Sequence, residues 1–307
     1  PTVSRRPAAG AGWARDGGPR RETRPPARAT LVAMSDTAAT LTPPARDLDL
    51  AYGPDPRHRL DVYHPAEPNG ALLVDIHGGG WFQGDKSKEE ALAARFSDAG
   101  YLVAAPNYRF ADGGAGANLY PAQVDDMLAA VNWLKGEAAL AFDRSKIGAV
   151  GGSSGGNLAF ELALSLGVPG VSWSGLLDLA GFMARHGDAT PHKVAMDGSA
   201  PSARLDQGGA DPGYYKWLVF NLLGPDLDGL DVATPIGRVT PAAGPMLFAN
   251  SLNELVPPEE ALIAATVMMR AGVPTRTILF EGQRHAAGYI DDVFEETLRF
   301  LGHYLGV

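Results

Sequence analysis

The sequence contains no cysteine. Disulfide bridges, thiolate metal sites and cysteine nucleophiles are therefore excluded, and cysteine usage says nothing about compartment. Also absent is any run of about 18 apolar residues, the least a membrane-spanning helix needs. Positive charge is scarce. There are 26 Lys and Arg against 35 Asp and Glu, a net charge of −9, which argues against general affinity for nucleic acid. No two histidines have metal-ligand spacing on one helix face, so no metal is expected. There is no internal repeat. What is present is 307 residues with 45% hydrophobic content, enough for one large α/β domain with an insertion, or for two domains.

The basic residues that do occur are concentrated at one end. Residues 1–33 carry seven arginines against Asp16 and Glu22, a net of +5 that leaves −14 for the remainder. This stretch is rich in Pro, Gly, Ala and Arg, has no periodicity and lacks the apolar core of a signal peptide. It is expected to be disordered. Met34-Ser35-Asp36 looks like a natural start, which makes 1–33 an upstream extension; a transit or anionic-surface-binding arm is the alternative. Residues 34–307 are expected to form the folded domain. A cytoplasmic location is the expectation.

Along the chain, Leu48–Tyr52 and Leu60–Tyr63 flank Gly53-Pro54-Asp55-Pro56 and predict an antiparallel edge hairpin. Ala71–Ile76 is a mostly apolar run like a buried strand. A helix is predicted over Ser87–Ala99, with Ser87 as N-cap and Glu90 completing a capping box. Tyr101–Ala105 reads as a strand, and Pro121 opens a helix to about Lys135. Residues 146–150 and 170–174 are strand-like. The rhythm then breaks over about 182–240, the predicted insertion, and Pro245–Ala249 restores it. A helix over Pro258–Ala271, a strand over Thr275–Phe280 and a helix from about Ile290 to Tyr304 complete the chain. Strands alternating with helices imply a parallel sheet covered on both faces.

Gly151-Gly152-Ser153-Ser154-Gly155-Gly156-Asn157-Leu158 lies between a strand and a helix. A turn this tight admits only glycine two residues either side of the serine and lifts the hydroxyl above the sheet at a helix N-terminus. Ser153 is the candidate nucleophile. Ser154 also fits G-x-S-x-G, and either serine could instead be a helix N-cap. His77-Gly78-Gly79-Gly80 ends an earlier strand. Backbone without side chains can aim N–H groups at a developing oxyanion. No Gly-Lys-Ser/Thr follows, so this is not a Walker loop. Of the seven histidines, only His285 lies in a loop after the last strand.

These residues, with Trp81, Asn107-Tyr108-Arg109, Tyr120-Pro121-Ala122-Gln123 with Asp125, Val256-Pro257 and Ala271-Gly272-Val273-Pro274, resemble the α/β-hydrolase superfamily. Within it they resemble the hormone-sensitive-lipase-like and BD-FAE-like carboxylesterases, a group that also includes kynurenine formamidases. The resemblance covers about residues 47–306. It implies an α/β-hydrolase fold, a mostly parallel central sheet with helices on both faces, and a small cap over about 182–240. It implies that Ser153 attacks the carbonyl and His285 is the base. The N–H groups of Ser154 and of two glycines among Gly78, Gly79 and Gly80, with Gly79 and Gly80 preferred, form the oxyanion hole. The implied acid follows the strand at 245–249, four residues before Pro257. Asn253 stands there. An amide supplies no anion for the imidazolium. Glu254 is adjacent and longer, and is the alternative acid; Asp178, Glu281, Asp291 and Asp292 lie outside the expected loop.

The apolar part of the insertion, Tyr214–Leu223, reads as a cap helix packing on the body. Tyr215 and Trp217, with Trp81 after the glycines, are candidates for the substrate pocket. Arg109 reads as an anchor for its loop, in preference to an anion site. The function implied is a serine carboxylesterase for short-chain acyl esters working through an acyl-enzyme, with no cofactor. Arylformamidase, acyltransfer or cyclisation would use the same residues. A ligand-binding scaffold without chemistry is the reading from another class. The expected partner is a small-molecule ester, not nucleic acid and not an inserted membrane, with a homodimer left open.

Overall fold

The computed structural model describes residues 45–114, 118–137, 139–194 and 209–307. The expected extension over 1–33 lies outside the described residues. Eight strands form one sheet in the order β1-β2-β4-β3-β5-β6-β7-β8. They are β1 (Ala45–Ala51), β2 (Arg59–His64), β3 (Leu72–Ile76), β4 (Leu102–Pro106), β5 (Ile147–Gly152), β6 (Gly170–Trp173), β7 (Met246–Ser251) and β8 (Thr275–Phe280). The first hairpin is antiparallel and lies at one edge, and β2 runs antiparallel to β4. Every pairing from β4 to β8 is parallel.

Parallel strands need covered faces, and their alternating side chains feed two layers. Leu72, Val74 and Ile76 of β3 pack with α2 (Ala122–Gly136) and α3 (Ser154–Leu166). Leu73 of β3, with Val103, Val150, Val171 and Leu247, packs against α1 (Glu90–Asp98) and α8 (Ile290–Leu305). Phe160 of α3 meets Phe248 of β7 edge to face, beside α7 (Pro258–Arg270).

The start of α1 differs from its prediction. Lys86–Glu89 is a 3-10 turn, and its cap is Asp85, whose carboxylate accepts from Ser87 N. The side chain of Glu89 makes no cap bond at the start of α1. Asp85 precedes the serine and takes the donor that a capping box would have used.

Between β6 and β7 the described residues form α4 (Leu179–Arg185), α5 (Pro212–Leu223), α6 (Leu230–Ala233) and a 3-10 turn over Pro235–Arg238. Pro212 opens α5 behind Asp211, which accepts from Tyr214 N at 2.9 Å. The helix is fastened to the body by Tyr215, whose hydroxyl reaches both oxygens of the buried Glu260 at 2.8 and 2.9 Å. Glu260 Oε2 also accepts from Leu177 N and Asp178 N. No described helix is long and apolar enough to cross a membrane.

Because β3, β5, β7 and β8 are parallel, their carboxyl ends lie along one edge, where ligands bind in open α/β sheets. The glycine run, Ser153, Glu254 and His285 follow those four strands in turn.

Candidate active site

Ser153 separates β5 from α3 with φ 56° and ψ −126°. A non-glycine residue at positive φ is strained, and such strain persists only where the surroundings over-determine it. Here Ser153 N donates to Trp173 O at 2.8 Å. A Cβ on Gly155 would stand 2.0 Å from Ile76 O, so the turn lies directly against the end of β3. Ser153 lines the pocket at this edge. Ser154 does not: its side chain is buried in the first turn of α3, with Oγ 3.4 Å from Tyr108 OH.

The glycine run lies alongside. A Cβ on Gly78 would be 3.3 Å from Ser153 Cβ. Gly79 has φ 124°, and its carbonyl accepts from Phe82 N and Gln83 N, so the loop curls back on itself. The N–H groups of Gly79 and Gly80 enter no backbone hydrogen bond among the described residues. Ser154 N opens a helix and has no acceptor four residues back. His77 is buried and stacks on Tyr108 at 4.4 Å, and its Nδ1–H donates to Gly78 O. Burial pushes its pKa down to about 4, so it is a neutral prop for the loop.

His285 is 3% exposed. Its Nδ1 bonds to Glu254 Oε2, while its Nε2 is buried and has no partner among the described residues. The other oxygen of Glu254 accepts from Ser251 N at 2.8 Å, Asn250 Nδ2 at 3.2 Å and Ser174 Oγ at 2.8 Å. A carboxylate held by that many donors is an acceptor only, so Nδ1 carries the imidazole proton and Nε2 the lone pair. Ser174 has φ 52°, and its Oγ also takes Ala286 N at 2.9 Å and lies 2.7 Å from Tyr289 OH. It therefore ties Glu254 to the residue after the histidine. The acid and histidine loops are joined along their backbones as well. Leu252 N donates to Phe280 O and Asn253 N to Gly282 O, and Ser251 Oγ donates to Arg284 O.

Asn253, at the position where the resemblance implies the acid, is exposed and contributes only backbone: its N–H goes to Gly282 O and its C=O accepts from Gly209 N. The chain turns over 252–253, and the side chain that folds back over the strand end is that of residue 254. The weaker substitutes are engaged elsewhere. Asp178 caps α4 and pairs with Arg185, Asp291 pairs with Arg95, Asp292 pairs with Arg284, and Glu281 is exposed.

The pocket holding Ser153 and His285 is narrow, with a cavity of about 40 Å³. Trp81, Tyr215 and Trp217 do not line it. Trp81 and Tyr215 are buried in the core, and Trp217 packs edge-on against Phe82. The pocket side of α5 is Tyr214 and Leu218, one helical turn apart. Tyr215 is rotated about 100° from Tyr214 by the 3.6-residue period, toward Phe182 and Glu260. Arg109 is an anchor: its Nε and Nη2, with its own N–H, bind Asp126, which is buried whereas Asp125 is exposed. Among the described residues no three His, Asp or Glu side chains are placed to hold a metal ion. Ser174, Tyr289, Asn250 and Ser251 escaped the sequence reading, because none carries a spacing signal of its own.

Among known proteins, the chain is similar to several ester hydrolases. Residues 60–174 match the BD-FAE family model. A versiconal hemiacetal acetate esterase of Dothistroma septosporum is 24% identical over 88% of this chain and 84% of its own length. An ethyl acetate hydrolase of Pseudomonas putida is 36% identical over 38% of each chain. In one further relative, an FAD-linked oxidoreductase, pytB, of Aspergillus terreus, the aligned segment is only 12% of that protein's length, at 35% identity over 34% of this chain. Among solved structures, a truncated carbohydrate esterase from gut microbiota superposes with a TM-score of 0.65 at 22% identity, covering 86% of this chain and 97% of that one. The chain is an α/β-hydrolase by fold. Its matches include the BD-FAE family model over residues 60–174 and several ester hydrolases.

Proposed function

We propose that the protein is a serine carboxylic-ester hydrolase acting on short-chain acyl esters through an acyl-enzyme intermediate. His285 Nε2 takes the proton of Ser153 Oγ as the hydroxyl attacks the ester carbonyl, and gives it to the departing alkoxide. Glu254 holds the ring in the tautomer that leaves Nε2 free and stabilises the imidazolium. The N–H groups of Ser154, Gly79 and Gly80 receive the oxyanion. Water then repeats the sequence on the acyl-enzyme, with His285 again as base.

The observation that carries this reading is the pairing in one pocket of a serine at positive φ with a histidine whose Nδ1 is held by a carboxylate and whose Nε2 is unpaired. The short-chain preference is supported by the narrow cavity and by Leu218 at one end, and by relatives described as an acetate esterase and an ethyl acetate hydrolase. The amide at 253 was the reason to consider a binder without chemistry, and it weighs little when Glu254 supports the histidine.

The test is an ester-chain-length panel with a fluorophosphonate probe on wild type and Ser153→Ala. Wild type is expected to be labelled at Ser153 and to prefer acetyl and butyryl esters, and Ser153→Ala to lose label and turnover by a factor on the order of 10⁴ or more. Absence of label on the wild type would defeat the proposal.

A further inference from the structure

The pocket that holds Ser153 and His285 is closed on several sides. Leu218 of α5 closes on Gly80, where an added Cβ would meet its Cδ2 at 2.5 Å. Ala286 closes on Gly152, with a corresponding distance of 2.8 Å to its Cβ. A third wall is Leu255, the residue after Glu254, which is 5% exposed.

Leu255 borders a second cavity as well, and it is the one described residue that lines both. The second cavity holds about 410 Å³, against about 40 Å³ for the first. Its wall, among the described residues, includes Phe182 of α4, Pro212 at the start of α5, and Pro257 and Ile263 at the start of α7. Two charged side chains there have partners: Arg185 pairs with Asp178, and Asp211 caps α5 and bonds to His192. The surface left to a ligand is mostly apolar. Helix α5 runs past both spaces, with Pro212 on the second and Tyr214 and Leu218 on the first. The chain at Leu255 is fixed on either side. Glu254 is held by Ser251 N, Ser174 Oγ and His285, and Pro257 leads into α7. The Leu255 side chain thus stands between the two spaces.

We propose that Leu255 is a specificity-determining residue: it separates the catalytic pocket from a larger apolar cavity and so sets the length of ester chain that the site accepts. The inference rests on the esterase reading above. An apolar cavity of about 150 Å³ takes up benzene, so this one has room for several carbons of an alkyl chain. With Leu255 in place, such a chain stops at the partition. Without it, each methylene that passes from water into the cavity favours binding by about a factor of four.

The experiment uses two series of esters. p-Nitrophenyl acetate, butanoate and octanoate lengthen the acyl side, and ethyl, butyl and octyl acetate lengthen the alcohol side. The readout is kcat/KM, taken as the octanoate-to-butanoate and octyl-to-butyl ratios, for wild type, Leu255→Ala, Leu255→Val and the double variant Leu255→Ala with Ile263→Trp. In at least one series Leu255→Ala is expected to raise the long-to-short ratio about tenfold or more. Leu255→Val removes a single methylene, so it should raise the same ratio by less, and it remains readable if the Ala variant fails to fold. Ile263→Trp fills the cavity from α7 and should bring the ratio of the double variant back to within roughly threefold of wild type. Ratios that move less than roughly threefold in both series, for Ala and for Val, overturn the inference. So does a gain that Ile263→Trp leaves in place, which would mean general loosening of the pocket. Wild type that cleaves no ester of either series overturns the esterase reading itself, whereas cleavage of the short esters with unmoved ratios overturns only the role of Leu255.

Discussion

Glu254 Oε1 accepts from Ser251 N, Asn250 Nδ2 and Ser174 Oγ, which leaves Oε2 to His285. Replacing Glu254 by Gln keeps the shape but gives the histidine an amide that can hold either tautomer. Turnover of a short ester should fall by about 10³–10⁴ with KM little changed. Asn253→Asp places its carboxylate in solvent and should leave turnover within about twofold, as for most surface substitutions. A rise of an order of magnitude would mean that residue 253 reaches the histidine. Ser174→Ala removes one donor to Glu254 and the acceptor for Ala286 N, and kcat should fall about tenfold while KM stays. Ser153 and His285 were legible in the sequence, the first from its glycine frame and the second from its place after the last strand. The carboxylate that pairs with His285 was legible only to within one residue. Whether 253 or 254 faces inward depends on where the loop turns, and that is fixed by pairing with residues 280–282 far along the chain.

Helix α5 illustrates the same limit for an element. Its apolar run identified a helix packed on the body, but which side chains meet the substrate depends on rotation about the axis. Tyr214 and Leu218 face the pocket, and Tyr215 faces Glu260. Leu218→Ala should widen the end beside Gly80 and raise the butyryl-to-acetyl ratio of kcat/KM by about tenfold, at a stability cost of about 2–5 kcal/mol. Tyr215→Phe should cost about 1–3 kcal/mol by leaving Glu260 short of a donor, with the chain-length ratio unmoved. Chain-length profiles and urea unfolding of the two variants separate these outcomes. The parallel strands were legible because burial on both faces leaves continuous apolar runs. The start of α1 was not, because Asp85 and Ser87 are both competent caps and the sequence does not rank them.

For the whole molecule, the buried Glu260 couples stability to pH. Desolvation raises its pKa from 4.5 to about 7, against hydrogen bonds from Asp178 N, Leu177 N and Tyr215 OH. A raised folded-state pKa means that the native state binds the proton more tightly. The contribution is fully present below pH 4.5 and is lost as pH rises to about 7, a matter of a few kcal/mol at most. His77 acts oppositely. Its pKa is lowered from 6.5 to about 4 by burial, so its contribution is present above pH 6.5 and is lost as pH falls toward 4. The two slopes oppose each other between about pH 4.5 and 6.5, so wild type alone does not reveal either. The stability difference between wild type and Glu260→Gln isolates the first, and it should shift against wild type as pH rises from 5 to 7.

The ties between the acid and histidine loops have a consequence for moving the acid along the chain. Leu252 N to Phe280 O, Asn253 N to Gly282 O and Ser251 Oγ to Arg284 O hold the two loops together without using the carboxylate. The frame thus holds the side chain of residue 254 toward His285 and that of residue 253 in solvent. Moving the carboxylate from 254 to 253 would not carry the acid across unless these ties shifted register at the same time.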